Sequence, residues 1–76
     1  TERDRMEEFM FLGLRMMEGV SMEKFERYFG KPYMEVYGKV QKRMEDKRFL
    51  INDNGYVKLT EFGIDLSNYV MSEFLF

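Results

Sequence analysis

Phe49-Leu50-Ile51-Asn52-Asp53-Asn54-Gly55-Tyr56-Val57-Lys58-Leu59-Thr60 is the stretch that decides the fold of this chain. Phe49 and Ile51 alternate with Leu50, and Val57 and Leu59 alternate with Tyr56 and Lys58, so each side reads as a short strand. Asn52-Asp53-Asn54-Gly55 between them is a dense turn signal. The stretch therefore predicts a two-stranded hairpin. A lone hairpin is marginal in water, so its expected inward residues Phe49, Ile51, Val57 and Leu59 need a helix to clamp against.

Helices are predicted on both sides of it. Upstream, Tyr33, Val36, Tyr37, Val40 and Met44 share one face of a helix that begins near Tyr33 and ends near Arg48. Before it, Ser21 is an N-cap for a short helix carrying Met22, Phe25 and Phe29, closed by Gly30 and Lys31-Pro32. A first helix spans about Arg3 to Glu18, with Met6, Phe9, Met10, Gly13, Met16 and Met17 at helical spacing and Gly19 as its stop. Downstream, Thr60 caps a last helix running from about Glu61 towards Phe74. Three helices, a short β-hairpin and a C-terminal helix define a mainly helical α+β, winged-helix-like domain, single over residues 1–76.

Composition restricts the chemistry. With 76 residues there is room for one core and no deep cleft. The chain has Cys 0 and His 0, so no thiolate iron site, histidine-bearing zinc site or cysteine nucleophile can be built. Catalytic, cofactor-binding and metal-binding residues are accordingly all expected to be none. Lys+Arg 12 against Asp+Glu 14 gives a net charge of −2, a field that weakly repels polyphosphates. The longest uncharged apolar run, Phe9 to Leu14, is far short of the roughly 20 residues of a membrane span. No basic leader with a cleavage site is visible, and a cytoplasmic location is expected. Adjacent carboxylates such as Glu7-Glu8 and Glu45-Asp46 diverge on a helix and read as solvated surface.

Glu8-Phe9-Met10-Phe11-Leu12-Gly13-Leu14-Arg15-Met16-Met17-Glu18-Gly19 carries a further signal, joined by Val20, Phe25, Phe29 and Gly30, by Leu59-Thr60 with Gly63, and by Leu66-Ser67-Asn68 with Val70 and Phe74. In combination these resemble the C-terminal domain of the oxygen-independent coproporphyrinogen III oxidase and haem-chaperone family of radical-SAM proteins. Lys31-Pro32-Tyr33-Met34 departs from that pattern, and nothing functional is carried over there. The resemblance implies an accessory domain excised from the C-terminal part of a longer parent, in which an upstream barrel holds a 4Fe-4S cluster and S-adenosylmethionine. The barrel, within the same chain, would be this domain's partner. Such parents either decarboxylate porphyrinogen propionates or deliver haem.

Two surfaces bear on function. The outer face of the third helix carries Lys39 and Lys42 among Glu35, Glu45 and Asp46, with Glu35–Lys39 and Lys42–Asp46 spaced to pair. That mixed face argues against nucleic acid, as does a hairpin tip holding Asp53 and no base. The last helix shows two apolar stripes: Phe62, Leu66, Val70 and Phe74 on one side, and Ile64, Met71 and Leu75 with Asn68 on the other. Either both are internal, or one docks on a partner, and Phe11, set among charges on the first helix, is a further contact anchor. The interdomain contact candidates are thus Phe11, Ile64, Asn68, Met71 and Leu75. The alternative from another class is a free-standing winged-helix DNA-binding or protein-interaction module. The eight methionines read as core filler rather than haem ligands.

Overall fold

A computed structural model describes all 76 residues. Helices α1 (Glu2–Leu14), α2 (Met22–Phe29) and α3 (Tyr33–Asp46) precede strands β2 (Leu50–Asp53) and β3 (Tyr56–Leu59), and two short helices, α4 (Glu61–Asp65) and α5 (Ser67–Ser72), close the chain. A two-residue strand, β1 (Val20–Ser21), lies between α1 and α2 and pairs antiparallel with β3, giving sheet order β1-β3-β2. The expected winged-helix order is present, with this extra strand completing the sheet.

Local chemistry places the boundaries. Ser21 serves twice, as a strand residue opposite Tyr56 and as the α2 N-cap whose hydroxyl accepts from the Lys24 amide at 3.1 Å. Gly30 closes α2 in the left-handed region at φ 72°. Asn54 and Gly55 are both left-handed, at φ 52° and 87°, as a tight two-residue hairpin turn requires. The Gly55 amide donates to the Asn52 side chain at 2.9 Å.

The core comprises Met6, Met10 and Leu14 of α1, Phe25 of α2, Tyr33, Tyr37 and Met44 of α3, Leu50 and Val57 of the wing, and Val70 and Phe74 at the end, with Val20 beside them. Phe25 is its hub: its ring lies 4.8 to 5.9 Å from those of Phe9, Phe29, Tyr33 and Tyr37, separations at which tilted and edge-to-face aromatic pairs are favourable. Of the two buried polar residues, Ser21 and Gln41, the Gln41 side-chain oxygen accepts from the Tyr33 hydroxyl at 2.8 Å. Burial pushes both the Tyr33 and Tyr37 hydroxyls well above the usual phenol range, helped for Tyr33 by the Tyr37 and Glu45 charges and for Tyr37 by Glu7.

Four expectations are corrected. The first helix stops at Leu14, not Glu18, because the chain must return at once to pair Val20 with Val57. Residues 15–19 turn instead, with Met16 bonded to the Gly13 carbonyl and Gly19 to that of Met16. Gly13 sits so close to the returning strand that a Cβ there would lie 2.6 Å from Val20 Cγ2.

The inward residue of β2 is Leu50, not Ile51: Leu50 is fully buried and Ile51 exposed. Register sets this, since Leu50 opposes Leu59 and Asn52 opposes Val57, and opposed residues share a face. Upstream, Arg48 is left-handed at φ 65°. The Phe49 amide reaches back to the Met44 carbonyl, and that of Arg48 to Glu45, both at 2.9 Å. This double closure ends α3.

The last helix is not continuous. It bends at Leu66 (φ −116°, ψ 32°), where the chain passes from contact with β3 to contact with α1. Its buried side runs through Gly63, Val70 and Phe74, so the expected stripe of Phe62, Leu66, Val70 and Phe74 is only half internal; Phe62 and Leu66 are exposed. Finally, neither Glu35–Lys39 nor Lys42–Asp46 closes as an ion pair. Arg43 instead bonds Glu73 at 2.9 Å and Lys47 the Tyr69 hydroxyl at 2.8 Å, tying α3 to α5.

Candidate docking surface

The sequence of α4 explains the surface it builds. Thr60 caps it, accepting from the Gly63 amide at 3.1 Å while its own hydroxyl donates to the Arg48 carbonyl. That clamp holds the first turn against the base of the wing, where a Cβ on Gly63 would overlap the Phe49 carbonyl oxygen. The only residue of α4 turned fully inward is therefore a glycine. Phe62, Ile64 and, just after the helix, Leu66 are 64%, 60% and 47% exposed. In a small domain these are apolar side chains without a core to serve, Phe62 and Leu66 on one side of α4 and Ile64 on the other.

A groove of about 460 Å³ lies on the Ile64 side of α4, bounded by the end of α1 and its turn, by β3, and by α4 and α5. Its apolar lining includes Leu14, Met16, Met17, Leu59, Ile64 and Met71. Arg15, Lys58, Ser67 and Asn68 supply its polar lining.

Of the five expected contact residues, three meet here: Ile64, Asn68 and Met71 all line the groove. Ile64 and Asn68 are exposed, while Met71 is half-buried and packs against the core. Leu75 is 49% exposed but lies past α5, outside the groove, and Phe11 is half-buried on α1, also outside it. Met16 and Met17, expected on the apolar side of a longer helix, are instead 58% and 97% exposed on the turn. Sequence reasoning missed them, and it missed Arg15 and Lys58. A signal was present in Met16-Met17-Glu18-Gly19 directly after the close-approach Gly13, since a helix pinned at a glycine has little reason to run on.

The structure brings no group of three or more Asp and Glu side chains together to hold a metal ion, and the chain holds neither cysteine nor histidine. No helix is long and apolar enough to cross a membrane. The exposed face of α3 mixes Lys39 and Lys42 with Glu35, Glu45 and Asp46, unlike the one-sided basic face of a DNA-reading helix.

Comparison with known proteins adds identity to this geometry. Residues 1–66 match the family described as the HemN C-terminal domain. The chain is also 36% identical over 75 residues to the haem chaperone HemW of Lactococcus lactis subsp. lactis (strain IL1403) and, equally, to the haem chaperone HemW of Bacillus subtilis (strain 168). In both cases 99% of this chain aligns, and it spans 20% of the relative's length. No solved structure matches it. With residues 1–66 matched to the family and nearly the whole chain aligned to the two relatives, the chain belongs to the HemN C-terminal domain family.

Proposed function

We propose that these residues form a non-catalytic accessory domain of a radical-SAM protein of the coproporphyrinogen oxidase and haem-chaperone kind, and that the domain braces or covers the catalytic barrel of its own polypeptide. The observation that carries the reading is α4, a helix that turns a glycine inward and its large apolar side chains outward. Such a helix is built to be covered. The two haem-chaperone relatives favour haem delivery over porphyrinogen oxidation as the parent's task. Both are about five times as long as the matched stretch, which leaves room for a barrel.

The parent's 4Fe-4S cluster and S-adenosylmethionine belong, on this reading, to the remainder of the polypeptide. This chain's own residues do not fit a cluster, because thiolates are its ligands and none is present. The reading assigns no nucleic-acid partner and a cytoplasmic location. Limited proteolysis of the full-length parent tests it. Phe62→Asp with Ile64→Asp should speed cleavage between this domain and the rest several-fold while leaving the secondary structure intact; an unchanged cleavage rate would exclude α4 as the brace.

A further inference from the structure

The groove beside α4 has a charge asymmetry that the brace reading does not require. Its ten lining residues include two cations, Arg15 and Lys58, and no carboxylate, in a chain whose net charge is −2. Lys58 lies 3.1 Å from Asp53 at the wing, so part of its charge is answered within the domain. Arg15 makes no ion pair at all. It projects beside an apolar lining of Leu14, Leu59, Ile64 and three methionines. Methionine side chains bend to fit irregular apolar partners, and a guanidinium is the side chain best shaped to grip a carboxylate with two parallel bonds.

We infer that the groove lined by Leu14, Arg15, Met17, Lys58, Ile64 and Met71 seats an apolar segment bearing an aspartate or glutamate, supplied by the same polypeptide from outside residues 1–76, with that carboxylate held by Arg15. The inference rests on the brace reading and deepens it by giving the covering segment a chemistry and a seat. The same polypeptide is the occupant because the matched stretch is 20% of the relatives' length, which puts a large tethered partner at high effective concentration beside the groove. Charge complementarity then selects an acidic segment over a basic one.

The test uses the full-length parent with photoreactive p-benzoylphenylalanine in place of Met17, 97% exposed in the groove, or of Tyr28, 72% exposed outside it. Captured peptides are read by mass spectrometry in a mixture of isotopically light and heavy protein, which separates capture within one chain from capture between copies. Expected is a single peptide captured within one chain by the Met17 probe, apolar and containing Asp or Glu, with yield falling at least about fivefold in Arg15→Glu and less in Arg15→Lys. Both variants should keep the secondary structure of the unsubstituted protein, since Arg15 is exposed and makes no ion pair within residues 1–76. Capture within one chain by the Tyr28 probe alone, or a yield indifferent to Arg15→Glu, would each overturn the groove assignment and leave the brace standing. Absence of capture within the chain by either probe would overturn both.

Discussion

Tyr33 and Gln41 show at the scale of single residues how a small core tolerates polarity. The tyrosine hydroxyl has its acceptor in the Gln41 carboxamide, whereas the Tyr37 hydroxyl and the Gln41 nitrogen have no partner within the domain. Removing one member of the bonded pair strands the other. Gln41→Leu alone should therefore cost about 1–3 kcal/mol, and Tyr33→Phe with Gln41→Leu together less than their sum, measured by denaturant unfolding of all four species. Arg48 makes the opposite kind of case. It occupies a left-handed position that disfavours any side chain, so Arg48→Gly should stabilise by up to about 1 kcal/mol in the same assay. Gly63 is the reverse again: Gly63→Ala drives a methyl into the Phe49 carbonyl and should cost about 1–3 kcal/mol, as overpacking does.

Among elements, the wing gives the sharpest contrast. Leu50→Ala should lose about 2–5 kcal/mol by opening a cavity, while Ile51→Ala, on the exposed face, should lose less than about 1 kcal/mol; equal losses would mean the register is shifted by one. The hairpin, its turn, the caps at Ser21 and Thr60 and the stop at Gly30 were all legible in the sequence because each depends on chemistry within a few residues. What could not be read depends on distant partners. β1 is two residues long and exists only because Val57 and Tyr56 wait for it. Leu50 and Ile51 are interchangeable by composition, and only the left-handed Arg48 upstream and the pairing with β3 choose between them. In the last helix two apolar stripes were visible and nothing local chose between them; close approach to the wing selected Gly63 for the inside and left Phe62 and Leu66 of the Phe62-Leu66-Val70-Phe74 stripe exposed. Three members of the candidate surface were found because Ile64, Asn68 and Met71 had no place on that stripe, and Met16 and Met17 were missed because their turn is forced by a strand far along the chain.

For the whole molecule, stability and attachment should separate. The ion pairs lie at the surface, the Arg43–Glu73 link between α3 and α5 among them, and exposed pairs contribute little, so Arg43→Ala should lower stability by less than about 1 kcal/mol and leave the melting transition cooperative. Substitutions on the outer side of α4 should likewise leave the domain's own unfolding almost unchanged and act only on how it holds to the rest of the polypeptide. The two classes are distinguished by comparing thermal unfolding with inter-domain cleavage in the same variants.

The cluster of rings around Phe25 has a practical corollary. The chain contains no tryptophan, and two of its five tyrosines, Tyr33 and Tyr37, are locked inside that cluster while Tyr28, Tyr56 and Tyr69 face outward. Near-ultraviolet circular dichroism and phenolic emission of the protein should thus be dominated by this one aromatic lattice. Loss of the lattice can be followed optically with no engineered reporter, and a tryptophan placed on the outer side of α4 would then give a second, spectrally separate signal for events at that side alone.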